Sequence, residues 1–106
     1  MTDVRRNALN QSLFREVNER IRALTSDDRD STPLTLICEC GSTGCTAAIT
    51  ISVGAYEAVR SDPVHFIIAP RHENLAVESI VEERRGYTVV RNDGLASRVA
   101  RQTYTR

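Results

Sequence analysis

Hydrophobic residues near the N-terminus recur with the spacing of an α-helix. Five apolar side chains follow one another at intervals of three or four residues: Leu9, Leu13, Val17, Ile21 and Leu24. One helical turn takes 3.6 residues, so these positions share one face, and charged residues cover the rest. The pattern predicts a helix over residues 8–24 with this apolar face towards the core. Residues 1–7 are expected to be frayed, and Asn7 or Asn10 could cap the helix.

The next hydrophobic positions follow the period of a β-strand. Residues 34–37 form a short apolar run rich in β-formers, and residues 46–53 alternate strictly between apolar and small or polar side chains. Period-two alternation is typical of a half-buried strand. The two segments therefore predict a β-hairpin. Its tip is the sequence CECGSTGC, residues 38–45, in which two glycines supply turn conformations.

The second half of the chain predicts a short helix and further strands. Ser52 can cap a helix through GAYEAVRSD, residues 54–62, and the apolar run at 65–69 predicts a buried strand. Residues 77–83 and 87–91 are expected to pair as a hairpin, although a helix over 75–85 is the alternative. From residue 92 to residue 106 the chain is polar, and a loose tail is expected there, with at most a weak helix.

These elements add up to an α+β fold. The N-terminal helix is expected to pack on a small antiparallel β-sheet, with a short second helix and the cysteine turn at the tip of the first hairpin. The 106 residues fit a single domain, residues 1–106, with an ordered core at about 8–91.

Charge and hydropathy argue against several classes of partner. The 14 basic and 14 acidic residues give a formal net charge of zero. A neutral chain lacks the positive field that nucleic acids and anionic membranes usually require. No segment approaches the ~20 apolar residues of a transmembrane helix, and the N-terminus lacks the apolar core of a signal peptide. We therefore expect a cytoplasmic protein with no membrane partner.

The three cysteines are the strongest chemical signal. Cys38, Cys40 and Cys45 fall within eight residues, whereas disulfide frameworks use spread and usually even sets. One tight turn brings the three thiols to a point, and thiolates prefer soft or borderline cations. A structural zinc ion takes four ligands, so the pattern predicts a zinc site completed from elsewhere in the chain. The alternatives are buried unreactive cysteines and an iron–sulfur cluster, which ordinarily takes four cysteines.

Two histidines and two glutamates could supply the fourth ligand: His72, His65, Glu39 and Glu73. We favour His72, which follows Pro70 in the loop after the predicted strand at 65–69. His65 begins that strand, and only one end of the strand can reach the metal, so His65 stays the alternative. Glu39 stands between two cysteines and is expected to point away.

Two resemblances accompany these residues. CECGSTGC resembles the post-SET element of SET-domain methyltransferases, in which C-x-C-x4-C holds zinc with a fourth ligand from elsewhere in the chain. This implies zinc binding by Cys38, Cys40 and Cys45; the SET core motifs are missing, so methyl transfer is not implied.

A longer resemblance runs from about Phe14 to Val90. The order FREVNERI, CECGSTGC, AYEAVRSDPVHFIIAPRHE, VESIVEERRGYTVV is similar to a family of small uncharacterised actinobacterial proteins. In that family the cysteine turn recurs together with a Pro-x-His-Glu segment, here Pro70 to Glu73. The resemblance implies a shared fold and supports His72 as a ligand, and it carries no known activity.

No catalytic pattern accompanies the cysteines. The sequence has no P-loop, dinucleotide glycine pattern or Ser/His/Asp set. A thiolate-rich zinc is typically structural, although an open fourth position with Glu73 as base would be the catalytic alternative. We therefore predict a non-enzymatic, zinc-stabilised regulatory or interaction module with an unknown protein partner, compatible with a homo-oligomer.

Two other functions stay open at this point. One is a thiol-based redox or metal sensor that releases zinc on oxidation. The other is a nucleic-acid-binding accessory protein that contacts phosphates through its arginines. Those arginines are Arg5, Arg6, Arg84, Arg85, Arg98, Arg101 and Arg106.

Overall fold

A computed structural model describes the backbone of residues 2–105 and the side chains of residues 4–105. This part of the chain forms three helices and five strands. The helices are α1 (Thr2–Leu24), α2 (Val53–Arg60) and α3 (Gly94–Gln102). The strands are β1 (Pro33–Ile37), β2 (Ala48–Ser52), β3 (His65–Ile68), β4 (Glu78–Arg84) and β5 (Tyr87–Asn92). The fold is α+β, as the sequence predicts.

Both predicted hairpins form, but the strands divide into two antiparallel sheets where the sequence predicts one. β1 and β2 pair antiparallel, with Leu36 opposite Ile49. β3, β5 and β4 form a second antiparallel sheet in that order, with Phe66 opposite Val90. The cysteine turn lies along the outer edge of β3, where the backbone N–H of Glu39 donates to Ile67 O at 2.8 Å. The turn therefore covers a sheet edge that would otherwise be exposed.

The main core lies between the two sheets and α2. Its largest fully buried apolar side chains are Leu36, Ile49, Val53, Tyr56, Val64, Phe66, Ile67, Ile68 and Val90. The predicted cap of α2 is confirmed, because the Ser52 hydroxyl accepts a hydrogen bond from Ala55 N at 3.2 Å. In the first hairpin, strand alternation places Leu34 and Leu36 of β1 and Ile49 and Ile51 of β2 in the core, as period-two patterning requires.

The helix prediction for α1 is confirmed, but the predicted buried face is wrong. Leu9, Leu13, Val17 and Leu24 are 44, 55, 38 and 86% exposed, and Ile21 is half-buried against the core. The helix instead buries Ala8, Gln11, Ser12, Arg15 and Asn18. α1 also begins at Thr2, so most of the segment expected to fray is helical.

Hydrogen bonds explain why α1 can bury a polar face. Arg15 donates to Pro63 O at 2.6 Å and to Ala100 O at 2.9 Å. Gln11 donates to Glu78 Oε2 at 3.2 Å. A buried polar group costs little when it is bonded and ~1–3 kcal/mol when it is not. The carbonyls of Pro63 and Ala100 and the carboxylate of Glu78 supply these partners, so this polar face of α1 is satisfied where the helix lies.

The expected loose tail is instead helix α3. Ala96, Val99 and Ala100 are buried, and the first two join Ala8 of α1 in a small apolar cluster. The bond from Arg15 to Ala100 O satisfies a carbonyl near the C-terminal end of α3. The sequence alone suggested only a weak helix here. The few apolar residues of α3 are enough to stabilise it because α1 packs on them.

Glu78 makes stability depend on pH. Burial raises its pKa, against the opposing hydrogen bonds from Asn74 N and Gln11. The folded protein then holds the proton more tightly than the unfolded chain. This contribution to stability is complete below the ordinary carboxyl pKa of 4.5 and is lost as pH rises through the raised pKa. We expect Glu78→Gln to flatten this part of the plot of unfolding free energy against pH.

Denaturant unfolding over a pH series measures this effect. Glu83→Gln, at an exposed position on the same strand, is the matched control and should leave the slope unchanged. Parallel curves for wild type and Glu78→Gln would contradict the assignment.

Candidate metal centre

The cysteine turn is shaped by backbone hydrogen bonds at both of its ends. Beyond β1, Cys38 N donates to Ala47 O at 3.1 Å, which continues the hairpin into the turn. Gly41 has a φ of +83°, a conformation that side-chain-bearing residues rarely adopt. Cys45 N then donates to Ser42 O at 3.1 Å. These bonds fold the eight residues back on themselves and bring the three thiols together.

The loop after β3 brings His72 to the same point. His72 N donates to Ala69 O at 3.1 Å, and Arg71 has a φ of +69°, so the chain reverses directly after Pro70. His72 Nδ1 then lies 3.5 Å from Cys38 Sγ and 3.6 Å from Cys45 Sγ. One ligand atom from each of Cys38, Cys40, Cys45 and His72 lies within 4.8 Å of the other three.

The two distances from His72 Nδ1 fit tetrahedral coordination. With metal–sulfur and metal–nitrogen bonds of about 2.3 and 2.0–2.1 Å, the sulfur and nitrogen of two tetrahedral ligands are ~3.6 Å apart. The two sulfur–nitrogen distances to His72 are close to that value. In addition, Ala69 N donates to Cys38 Sγ at 3.1 Å, a contact that orients a thiolate ligand. The four residues can therefore hold one metal ion.

The four side chains differ in exposure and acidity. Cys38 and Cys40 are buried, Cys45 is half-buried and His72 is exposed. Without a cation, burial raises the pKa of the Cys38 thiol to about 12. Burial also acts to raise the pKa of Cys45, but hydrogen bonds from Ala47 N and the neighbouring thiols outweigh it and lower that pKa. Metal uptake must therefore displace a proton from Cys38, so affinity rises with pH.

The other predicted donors lie elsewhere. His65 is at the opposite end of β3, where its Nε2 is 3.4 Å from Asp62 Oδ2. Among the described residues, neither His65 nor Glu73 belongs to the cluster of potential ligands. Of the two ends of β3, the structure brings the His72 end to the cysteines.

Glu39 anchors the inner side of the turn, a role that sequence reasoning missed. Its side chain points away from the thiols, as expected, and is buried. Glu39 Oε1 accepts from Ile67 N at 3.0 Å, and Oε2 accepts from Asn18 Nδ2 at 2.8 Å. Burial raises the pKa of this carboxyl to about 7. The sequence did carry a signal for this role. In an extended Cys-Glu-Cys segment alternate side chains point to opposite sides, which directs Glu39 away from the two cysteines.

Two asparagines of α1 donate hydrogen bonds to the backbone of the turn. Asn7 Nδ2 donates to Cys40 O at 3.3 Å, and Asn10 Nδ2 donates to Gly41 O at 3.1 Å. The expectation that one of them caps the helix is wrong, because both lie inside α1. A Cβ on Gly41 would lie 2.6 Å from Asn7 Nδ2 and 2.7 Å from Asn7 O. The turn and the first turns of α1 are therefore in direct contact.

The predicted phosphate-binding arginines are spread over the fold: Arg5 and Arg6 are exposed on α1, where Arg6 lines a pocket with Gly41 and Thr43 of the cysteine turn. Arg84 and Arg85 lie at the β4–β5 turn, and Arg84 forms an ion pair with Glu82 at 2.8 Å. Arg98 and Arg101 are exposed on α3. Arg106 lies outside the described residues.

Comparison with protein-family models, curated proteins and solved structures yields no match for this chain. The resemblances to the post-SET element and to small actinobacterial proteins thus stay predictions. Among the described residues, no helix is both long and apolar enough to cross a membrane.

Proposed function

We propose that this chain is a small zinc protein whose metal is structural and whose role is regulatory or protein-interacting. Cys38, Cys40, Cys45 and His72 are the proposed ligands. The proposal rests on the distances between the ligand atoms. Nδ1 of His72 is 3.5 and 3.6 Å from the Sγ atoms of two of the cysteines, close to the ~3.6 Å that separates the nitrogen and sulfur ligands of a tetrahedral zinc ion.

The donor set favours zinc over other ions. Calcium and magnesium prefer oxygen ligands, and three thiolates with one imidazole form a Cys3His set that is common in structural zinc sites. An iron–sulfur cluster would ordinarily need a fourth cysteine, and the chain has only three.

The same donor set supports a structural rather than a catalytic role. Four protein ligands complete a tetrahedron, whereas catalytic zinc keeps a position for water. Glu39, the carboxylate between Cys38 and Cys40, is engaged with Ile67 N and Asn18, and Glu73, the base of the catalytic alternative, is not part of the described ligand cluster. No base faces the thiols from within the turn, so we infer that the protein is not a zinc-dependent enzyme.

The position of the site suggests what the zinc would hold together. The ligands come from the tip of the β1–β2 hairpin and from the loop after β3. The turn also accepts hydrogen bonds from Asn7 and Asn10 of α1. One ion would therefore connect both sheets and the N-terminal helix, and would keep the outer surface of α1 in place for a partner.

Elemental analysis and native mass spectrometry of the purified protein test the site. We expect one zinc per chain, loss or at least tenfold weakening of binding in His72→Ala, and full retention in the matched control His65→Ala. Retention in His72→Ala with loss in His65→Ala would refute the ligand choice, and a metal-free wild type would refute the site. For the interaction role, crosslinking in cells that recovers only free monomer would count against it.

A further inference from the structure

The outer face of α1 carries a regular stripe of exposed residues. Its members are Arg6, Leu9, Leu13, Glu16 and Arg20, all of them exposed. They follow one another at intervals of three, four, three and four residues. This is the a/d spacing with which one helix packs along another. We call these five residues the outer stripe.

The protein's own core does not use the outer stripe. The opposite face of α1 is held by Gln11, Arg15 and Asn18, whose side chains donate hydrogen bonds to β4, to α3 and to the cysteine turn. Rotating the helix to bury its leucines would break these buried bonds, at ~1–3 kcal/mol each. The leucines therefore stay exposed on a helix that is fixed to the domain. Leu9 and Leu13 adjoin each other on this surface and leave apolar area open to a partner.

We propose that the outer stripe binds the outer stripe of a second copy of this chain, with the two α1 helices antiparallel. In an antiparallel helix pair, a positions of one helix face d positions of the other. When Leu9 of one copy faces Leu13 of the other, two-fold symmetry repeats the contact, and four leucines form the centre.

The charges of the stripe complement each other in this register. Arg6 precedes Leu9 by three residues and Glu16 follows Leu13 by three, so each Arg6 faces the other copy's Glu16. Neither Arg6 nor Glu16 forms an ion pair with a described side chain of its own chain. The apolar centre is thus closed at both ends by an opposite-charge pair, which sets register and orientation.

Other registers are less favourable. If Glu16 faced Arg20, Leu13 would face Ala23, and Leu9 would lie beyond the end of the other α1 at Leu24. If Leu13 faced Glu16, Leu9 would face Arg20, and both leucines would oppose charges. Only the first register places leucine on leucine and arginine on glutamate together.

The size of the contact indicates a reversible dimer. A single helix pair is at the small end of specific interfaces, below about 1,200 Å² in total, where association is weak or transient. We therefore expect a monomer–dimer equilibrium that shifts with concentration. The proposal names the partner of the proposed interaction module but needs no metal chemistry. Metal content is measured on the same samples, so failure of the zinc site and failure of the dimer give different results.

Sedimentation equilibrium of the metal-loaded full chain over a concentration series tests the proposal. Arg6→Glu and Glu16→Arg should each raise the dimer dissociation constant about tenfold or more, because each places two like-charge pairs at the interface. The double variant should restore wild-type affinity. Leu13→Ser should abolish the dimer, whereas Leu24→Ser, on the same helix but outside the paired segment, should not affect it.

Circular dichroism and zinc content confirm that each variant is folded. A wild type that stays monomeric throughout the series would overturn the proposal, as would a dimer that tolerates Leu13→Ser. Rescue of Glu16→Arg by Arg20→Glu instead of Arg6→Glu would overturn the register and with it the leucine centre.

Discussion

Chelation of the proposed zinc ion is expected to unfold the whole protein, and not only the cysteine turn. Structural zinc contributes about 10–16 kcal/mol of apparent binding free energy in small zinc domains, whereas domains of this size have a net stability of ~5–15 kcal/mol. The turn contacts the edge of β3 through Glu39 and holds α1 through Asn7 and Asn10. Loss of the ion would therefore release both elements together.

Thermal unfolding followed by circular dichroism, with and without chelator, measures this effect. Added zinc should restore the wild-type transition. Cys45→Ser is the matched control: it should resemble the chelated wild type, and chelator should change it no further. An unchanged transition in chelated wild type would show that packing alone holds the fold.

Replacement of Gly41 by alanine should be the most damaging single glycine substitution. Gly41 has a φ of +83°, and its added Cβ would lie 2.7 Å from Asn7 O, a backbone atom that can move only with α1. A left-handed conformation costs alanine ~1–2 kcal/mol, and overpacking adds ~1–3 kcal/mol. We expect Gly41→Ala to lower the free energy of unfolding by about 2–5 kcal/mol.

Two other glycines separate the cost of the left-handed conformation from the cost of the added contact with α1. Gly86 has a φ of +91° with open space around it, so Gly86→Ala should show the conformational cost alone, ~1–2 kcal/mol. Gly44 lies in the cysteine turn with open space and no positive φ, so Gly44→Ala should lose no stability. Denaturant unfolding of the metal-loaded variants supplies the comparison. Equal losses for Gly41→Ala and Gly86→Ala would mean that α1 does not press on the turn.

Local patterns in the sequence determined the type and approximate position of most elements. Strict alternation between residues 46 and 53 identified β2 (Ala48–Ser52), and Ser52 identified the start of α2. The spacing of Cys38, Cys40 and Cys45 identified the turn that gathers three thiols. These signals are readable because each depends on residues close together in the chain, where backbone period and turn chemistry act directly.

Only the tertiary structure decided which surfaces meet. The apolar period of α1 predicts a helix, but the partners available around it are backbone carbonyls, Glu78 and Glu39, so Arg15, Gln11 and Asn18 turn inward. The weak apolar signal of α3 becomes a helix because α1 covers it. His72 and His65 stand at opposite ends of one strand, and only the packing of the cysteine turn along β3 selects the end at His72. In each case the deciding contacts join residues far apart in the chain, where sequence periodicity carries no information.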